Sequence, residues 1–349
     1  MLKFQKLALA LCLFGAFTAC KKDKDPVIII APSTGSQMTI NGGSNGANAE
    51  NSIFIDFSTD KQDSVKRNSW NLGFYSGNEF RVKLNNTTNA TAVAVNKTDI
   101  NSVTIADIKV DTLGVEPGFP GMEAVIDNPF TGDLAGTLIA EVSATDANNK
   151  VYVFNPLGAT HSVPMDESKL MKIRILRKAG GYTLQYAKLS ETTFKTLDIN
   201  KNSDYNFQYV SLTGGNLVSV EPVKKNWDIQ WTYSMFYMVT GPTYMPYTFS
   251  DIVFINRLAG VTAAEVLTST VSYDNYAEAN IATTTFKSDN GVIGSNWRST
   301  QPATGAKTDR FYVIKDAAGN YYKLKFLSMG VGTDGGTRGK PRIEYKLVK

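Results

Sequence analysis

The sequence predicts an all-β fold arranged as two tandem, mostly antiparallel domains with at most one or two short helices. Three observations carry that expectation: runs that alternate polar and apolar residues, dense turn chemistry, and one pattern met twice at nearly constant spacing. "FRVKL" (80–84), "KIRIL" (172–176) and "YYKLKF" (321–326) keep a period of two, which sends alternate side chains to opposite faces of a strand. Glycine pairs begin at 42, 180 and 214, and "DNG" (289–291) and "AAGN" (317–320) are further turn signals. Long helical periodicity is missing. The best helix candidate is "VTAAEVL" (261–267), where Thr262 would cap a short turn with Glu265 three residues on.

Taken in chain order, residues 1–19 read as a signal peptide. Lys3 and Lys6 make a basic start, Leu7 to Phe17 an apolar run too short to span a bilayer, and small residues precede Cys20. A cysteine directly after "FTA" is the position at which a bacterial lipoprotein signal is cut and lipidated, so Cys20 is the expected anchor and mature N-terminus. Cys12 lies in the discarded run, which leaves the mature chain without a disulfide. Residues 20–35, opening "CKKDKDP", form a charged tether that can bury nothing. Without Lys3 and Lys6, 34 basic residues face 32 acidic ones, so no basic field calls for nucleic acid.

The repeat shows first in "SWNLGF" (69–74) and "NWDIQW" (226–231). Upstream, residues 37–61 and 195–216 share an alternating strand, a polar turn and an aromatic strand. Downstream, "VAVNK" pairs with "VFINR", placing Asn96 at 26 residues from Trp70 and Asn256 at 29 from Trp227. Val151 and Phe311 lie 81 and 84 residues from their tryptophans, Leu189 and Leu347 119 and 120. These offsets predict two domains, 36–192 and 193–349.

The order of "YVSL", "NWDIQW", "VFINR", "GSNW", "RFYVIKDAAGNYYKLKF" and "RIEYKL" resembles the HmuY family of Bacteroidota, closely over residues 201–349 and more loosely over 36–192. That resemblance implies a non-enzymatic, surface-exposed lipoprotein of the outer membrane. It also implies a hemophore role, in which haem is bound and passed to a TonB-dependent receptor. Haem-binding members hold the iron with His or Met on either side of a Trp that corresponds to Trp297. Here Arg298 to Pro302 offer no such ligand, and the earlier segment offers Tyr273 and Tyr276, expected as exposed loop residues.

The remaining candidates come from the residues themselves. Trp70 and Trp227 suit a core role, since indole buries a large apolar area and needs one hydrogen-bond partner. His161, the sole histidine, sits in "GATHSVP" with no second ligand or Ser/Asp company nearby, so neither a metal site nor a catalytic triad is supported. The densest chemistry is "WTYSMFYMVTGPTYMPYTF" (231–249), where Met235, Met238 and Met245 lie among aromatics that include Tyr237 and Tyr244. Gly241, Pro242 and Pro246 are expected to break any strand there. Two readings stand: packing between core elements, or a flat apolar binding surface with Met238 or Met245 as iron ligand. The functional alternatives are a haem-binding lipoprotein and a module on the same scaffold that binds another ligand, a glycan or a protein.

Overall fold

The computed structural model describes residues 31–114, 118, 121–128, 134–158, 164–240 and 243–349. Cys20, most of the tether and His161 lie outside the described residues. The strands fall in chain order as β1 (Gly35–Thr39), β2 (Asn51–Asp56), β3 (Lys61–Lys66), β4 (Leu72–Tyr75), β5 (Val82–Leu84) and β6 (Thr91–Val95). Next come β7 (Val151–Asn155), β8 (Met171–Lys178), β9 (Gly181–Lys188), β10 (Lys195–Asn200), β11 (Phe207–Ser211) and β12 (Asn216–Val218). The long pair β13 (Ile229–Thr240) and β14 (Thr243–Ile255) precedes β15 (Thr262–Leu267), β16 (Arg298–Ser299), β17 (Gly305–Ala306), β18 (Arg310–Lys315), β19 (Tyr321–Ser328) and β20 (Arg342–Leu347). The α-helix among the described residues is one turn, Glu278–Ile281; the other helical pieces are 3₁₀ turns. The fold is all-β.

Four sheets build two lobes of two sheets each, and β16 and β17 form a separate two-stranded ladder. The first has the orders β10-β9-β8-β7-β6 and β12-β11-β4-β5, the second β1-β20-β19-β18-β15 and β14-β13-β2-β3. Every sheet ladder is antiparallel. Each lobe closes on an apolar core drawn from both of its sheets. Leu72, Phe74, Ile173, Leu184 and Val210 belong to the first, and Ile53, Ile55, Trp231, Leu324 and Tyr345 to the second. In β2, Ile53 and Ile55 face that core while Phe54 faces away, into a cluster with Trp70, Phe207, Tyr209 and Trp227 that joins the lobes. Covered on both faces, β2 reads as a continuous buried run from Ser52 to Asp56.

The strand pairing crosses the chain. β1 pairs with β20 and β2 with β13, whereas β10 pairs with β9 and β11 with β4. The division at 192/193 therefore runs between the partners β9 and β10, and neither half of the chain holds a complete set of sheets.

Matched interactions recur in the two lobes. Asn85 Nδ2 donates to the carbonyls of Arg67 and Trp70, each at 2.8 Å, and Asn256 Nδ2 donates to those of Lys224 and Trp227, each at 2.9 Å. Asn71 Oδ1 accepts the Leu212 N–H at 2.8 Å, and Asp228 Oδ2 accepts the Phe57 N–H at 2.8 Å. Trp70 meets Tyr209 edge-to-face at 4.8 Å, and Trp227 meets Phe54 edge-to-face at 5.0 Å. After each asparagine a 3₁₀ turn ends in the left-handed region, at Asn89 (φ 58°) and at Gly260 (φ 90°). The counterpart of Asn256 is therefore Asn85. Asn96, which the sequence offsets select, is not the matching residue, because the second lobe carries a longer hairpin between its tryptophan and its asparagine.

The helix expected at 261–267 is strand β15. Its six residues pair with β18 from Thr262↔Lys315 to Leu267↔Arg310, and Ala263 and Ala264 are buried. Ladder hydrogen bonds and burial override a capping pattern that only one turn of helix would have rewarded.

Candidate functional site

On either side of Gly241 and Pro242, which lie outside the described residues, the segment 231–249 is extended, and Pro246 does not interrupt its strand. It forms most of the β13–β14 hairpin, in which Tyr237 faces Pro246, Met238 faces Met245 and Phe236 faces Tyr247. Pro246 is tolerated because β14 is the outermost strand of its sheet, where a missing N–H on the solvent side interrupts no ladder. The equivalent β4–β5 pair is only four and three residues long, so the extended arms are particular to the second lobe.

The register sorts the candidates by face, since side chains alternate along a strand. Met238, Met245, Phe236, Tyr247 and Phe249 share one face; Tyr247 and Phe249 meet edge-to-face at 5.1 Å. Met238 and Met245 are half-buried, and Tyr247 is 42% exposed. Tyr237 and Tyr244 lie on the opposite face with Met235, and Tyr244 is 55% exposed. Burial, with Glu123 nearby, pushes the Tyr237 hydroxyl up. Met235 is fully buried against Met122, Val125 and Ile126, so this arm also rests on the first lobe. A hydrogen bond from Thr248 Oγ1 to Asn89 Oδ1 (3.0 Å) and the Arg67 guanidinium 4.3 Å above the Tyr233 ring hold it there. Core packing and an open apolar surface thus occupy the same hairpin, one nearer its base and one nearer its tip.

Tyr273 and Tyr276 are not exposed loop residues. They are 6% and 3% exposed, and both meet Phe311 edge-to-face at 5.6 Å. The Tyr273 hydroxyl donates to the Lys323 carbonyl (3.2 Å), and that of Tyr276 shares a hydrogen bond with Thr284 Oγ1 (2.6 Å). Burial raises both hydroxyls, the opposite of what a phenolate ligand requires. Trp297 is buried too, stacked on Phe326 at 4.2 Å with its N–H on the Asp251 carbonyl (3.1 Å), while Arg298 pairs with the Asp251 carboxylate at 2.7 Å. Tertiary packing has turned both segments inward, which their polar local sequence does not reveal.

Trp70 (5% exposed) and Trp227 (7% exposed) sit together in the cluster between the lobes. Beside them is a cavity of about 170 Å³ that composition and spacing gave no hint of. Its polar wall brings together Lys83 of β5, Asp127 and Glu221, and its apolar wall includes Phe207, Val220 and Phe254. Burial pushes the Asp127 carboxyl up to about 7, raises Glu221 and lowers Lys83. No group of three or more metal-ligating His, Cys, Asp or Glu side chains occurs among the described residues.

The family model described as "HmuY protein" matches residues 48–345, which span both lobes. The chain belongs to the HmuY family. Among solved structures, apo PinO from Porphyromonas gingivitis is similar at 15% identity over 48% of this chain and 92% of that one, with a TM-score of 0.16. No curated protein matches the sequence. Residues 298–302 after Trp297 contain no His, Met, Tyr or Cys, and Met238 and Met245 face each other across the β13–β14 hairpin.

Proposed function

We propose that this HmuY protein is a non-enzymatic, lipid-anchored haem-binding protein of the outer membrane, facing the cell surface and handing its cargo to a TonB-dependent receptor. The observation that carries the reading is the cross-strand pair Met238 and Met245, set on a face with Phe236, Tyr247 and Phe249. Thioether sulfur is an established axial donor to haem iron, and aromatic rings suit a flat porphyrin. Bound haem would supply iron coordination chemistry at that face. The protein's own part is to present soft donors on the β13–β14 hairpin, with the exposed Tyr247, backed by Phe249, offering apolar contact beside them. Cys20 would carry the lipid, whose chains supply the membrane affinity. The matched asparagine and tryptophan networks support descent of the two lobes from tandem copies that exchange their first three strands.

The test is a haem titration followed by Soret absorbance. Wild type should give a saturable Soret shift at micromolar haem, and replacing Met238 and Met245 together by Ala should shift or abolish it. His161→Ala should leave the spectrum unchanged; a change confined to that variant would move the site elsewhere. The absence of any Soret shift in wild type would remove haem and leave another ligand, a glycan or a protein for the same scaffold. Cys20→Ala should abolish acyl labelling.

A further inference from the structure

We propose that the cavity between the lobes is a second binding site, separate from the hairpin face, for a small carboxylate with an apolar body, its carboxylate held by the Lys83 ammonium. Lys83 Nζ lies 4.0 Å from the ring centroid of Phe207, 5.1 Å from that of Tyr209 and 5.5 Å from that of Trp70. Its three N–H donors find no hydrogen-bond or ion-pair partner among the described residues. Cation–π contact alone compensates poorly for an ammonium withdrawn from water.

The two carboxylates in the same wall are already engaged. Glu221 accepts the Phe207 N–H at 2.7 Å on Oε1, and its Oε2 takes the Tyr209 hydroxyl at 3.2 Å. Asp127 accepts the Leu84 N–H at 2.7 Å on Oδ2 and the Leu138 N–H at 2.9 Å on Oδ1. Burial works against the charged form of all three groups, and neither carboxylate hydrogen-bonds to Lys83, so an entering anion would meet the ammonium without displacing a formed ion pair. The indole N–H of Trp227, in the same wall, also lacks a partner among the described residues.

Comparison of the lobes sharpens the point. Lys83 stands two residues before Asn85, and two residues before Asn256 stands Phe254, which packs edge-to-face on Phe236 at 5.3 Å. An aromatic residue serves at this position when packing alone is required. Lysine introduces N–H donors that its ring contacts leave without a hydrogen-bond partner among the described residues. The volume of about 170 Å³ is below that of ordinary drug-sized pockets and far too small for a porphyrin, but it admits a short aliphatic or single-ring acid.

Phenylacetate titrated into the full chain, followed by calorimetry and tryptophan fluorescence, tests the assignment. Saturable binding of phenylacetate is expected, with phenylacetamide at least about tenfold weaker, since a charge-assisted hydrogen bond is lost. Lys83→Met, which keeps the stem and removes the charge, should weaken phenylacetate by about tenfold or more while retaining the near-ultraviolet circular dichroism of wild type. Lys83→Arg should keep the preference for the acid over the amide, and Val220→Phe should close the cavity and abolish binding. Haem spectra of Lys83→Met should match wild type, which separates this site from the hairpin. Absence of saturable phenylacetate binding by wild type, equal binding of acid and amide, or unchanged affinity in Lys83→Met would each overturn the proposal.

Discussion

At the scale of single residues, Trp70 and Trp227, with Asn85 and Asn256 bonded to their carbonyls, hold the cluster between the lobes. Trp227→Ala removes an indole 7% exposed and packed on Phe54, and should cost about 3 to 5 kcal/mol in urea unfolding; a loss under about 1 kcal/mol would mean the cluster re-forms without it. Asp127 makes the stability depend on pH. Its folded value of about 7 lies above the unfolded value near 3.8, so the folded state holds a proton that the unfolded state gives up between them. Its contribution is therefore fully present below about pH 4, falls as pH rises and is gone above about 7. Carbon-detected NMR of the Asp127 carboxyl should show a midpoint near 7, and a midpoint below about 5 would contradict the burial argument. The tryptophans were legible because large aromatics recur at a fixed spacing. The Lys83, Asp127 and Glu221 group was not, since three charged residues far apart in sequence have no local pattern that brings them to one wall.

At the scale of elements, the β13–β14 hairpin carries a wholly buried Met235 and, farther along it, a more than half exposed Tyr244. Met235→Ala should cost about 2 to 5 kcal/mol, because the side chain is wholly buried against Met122, Val125 and Ile126. Tyr244→Ala, at a side chain more than half exposed, should stay within about 0.5 kcal/mol in the same assay. Equal losses at both positions would show that the tip is as buried as the base. The alternating runs at 172–176 and 321–326 became β8 and β19 because period two is the strand's own geometry. Two local signals misled. Pro246 looks like a break until its strand is known to be an edge, and "TAAEV" looks helical until β18 is placed beside it. Both depend on a neighbour distant in sequence, which no window of the chain contains.

At the scale of the whole molecule, the crossing of strands between halves decides how the protein can be divided. Fragments 36–192 and 193–349, made separately, should each lack cooperative unfolding, because β2 has lost β13 and β9 has lost β10. Mixed together they should recover the β-sheet circular dichroism of the intact chain and elute as one 1:1 species. A sharp unfolding transition in either fragment alone would show that one half is self-sufficient. The placement of β1 to β3 in the second lobe and β10 to β12 in the first could not be read from spacing, since it depends on partners far apart in the chain.

The pairing of β1 with β20 also sets an order of events during synthesis. The first lobe has all its strands once residue 218 has been made, so it can close while much of the chain is still to come. In the second lobe β2 and β3 can pair with each other at once, but β1 and the other edge of β2 stay open across that whole interval, because β13 begins at Ile229 and β20 ends at Leu347. Contacts of such separation form slowly and leave strand edges open to the wrong neighbour. β3, with Lys61, Lys66 and Asp63 on a largely exposed edge, supplies charge that discourages pairing with a second nascent chain. Strand β20 thus locks β1 in place, and a ribosome that stops short of Arg342 leaves β1 without its partner.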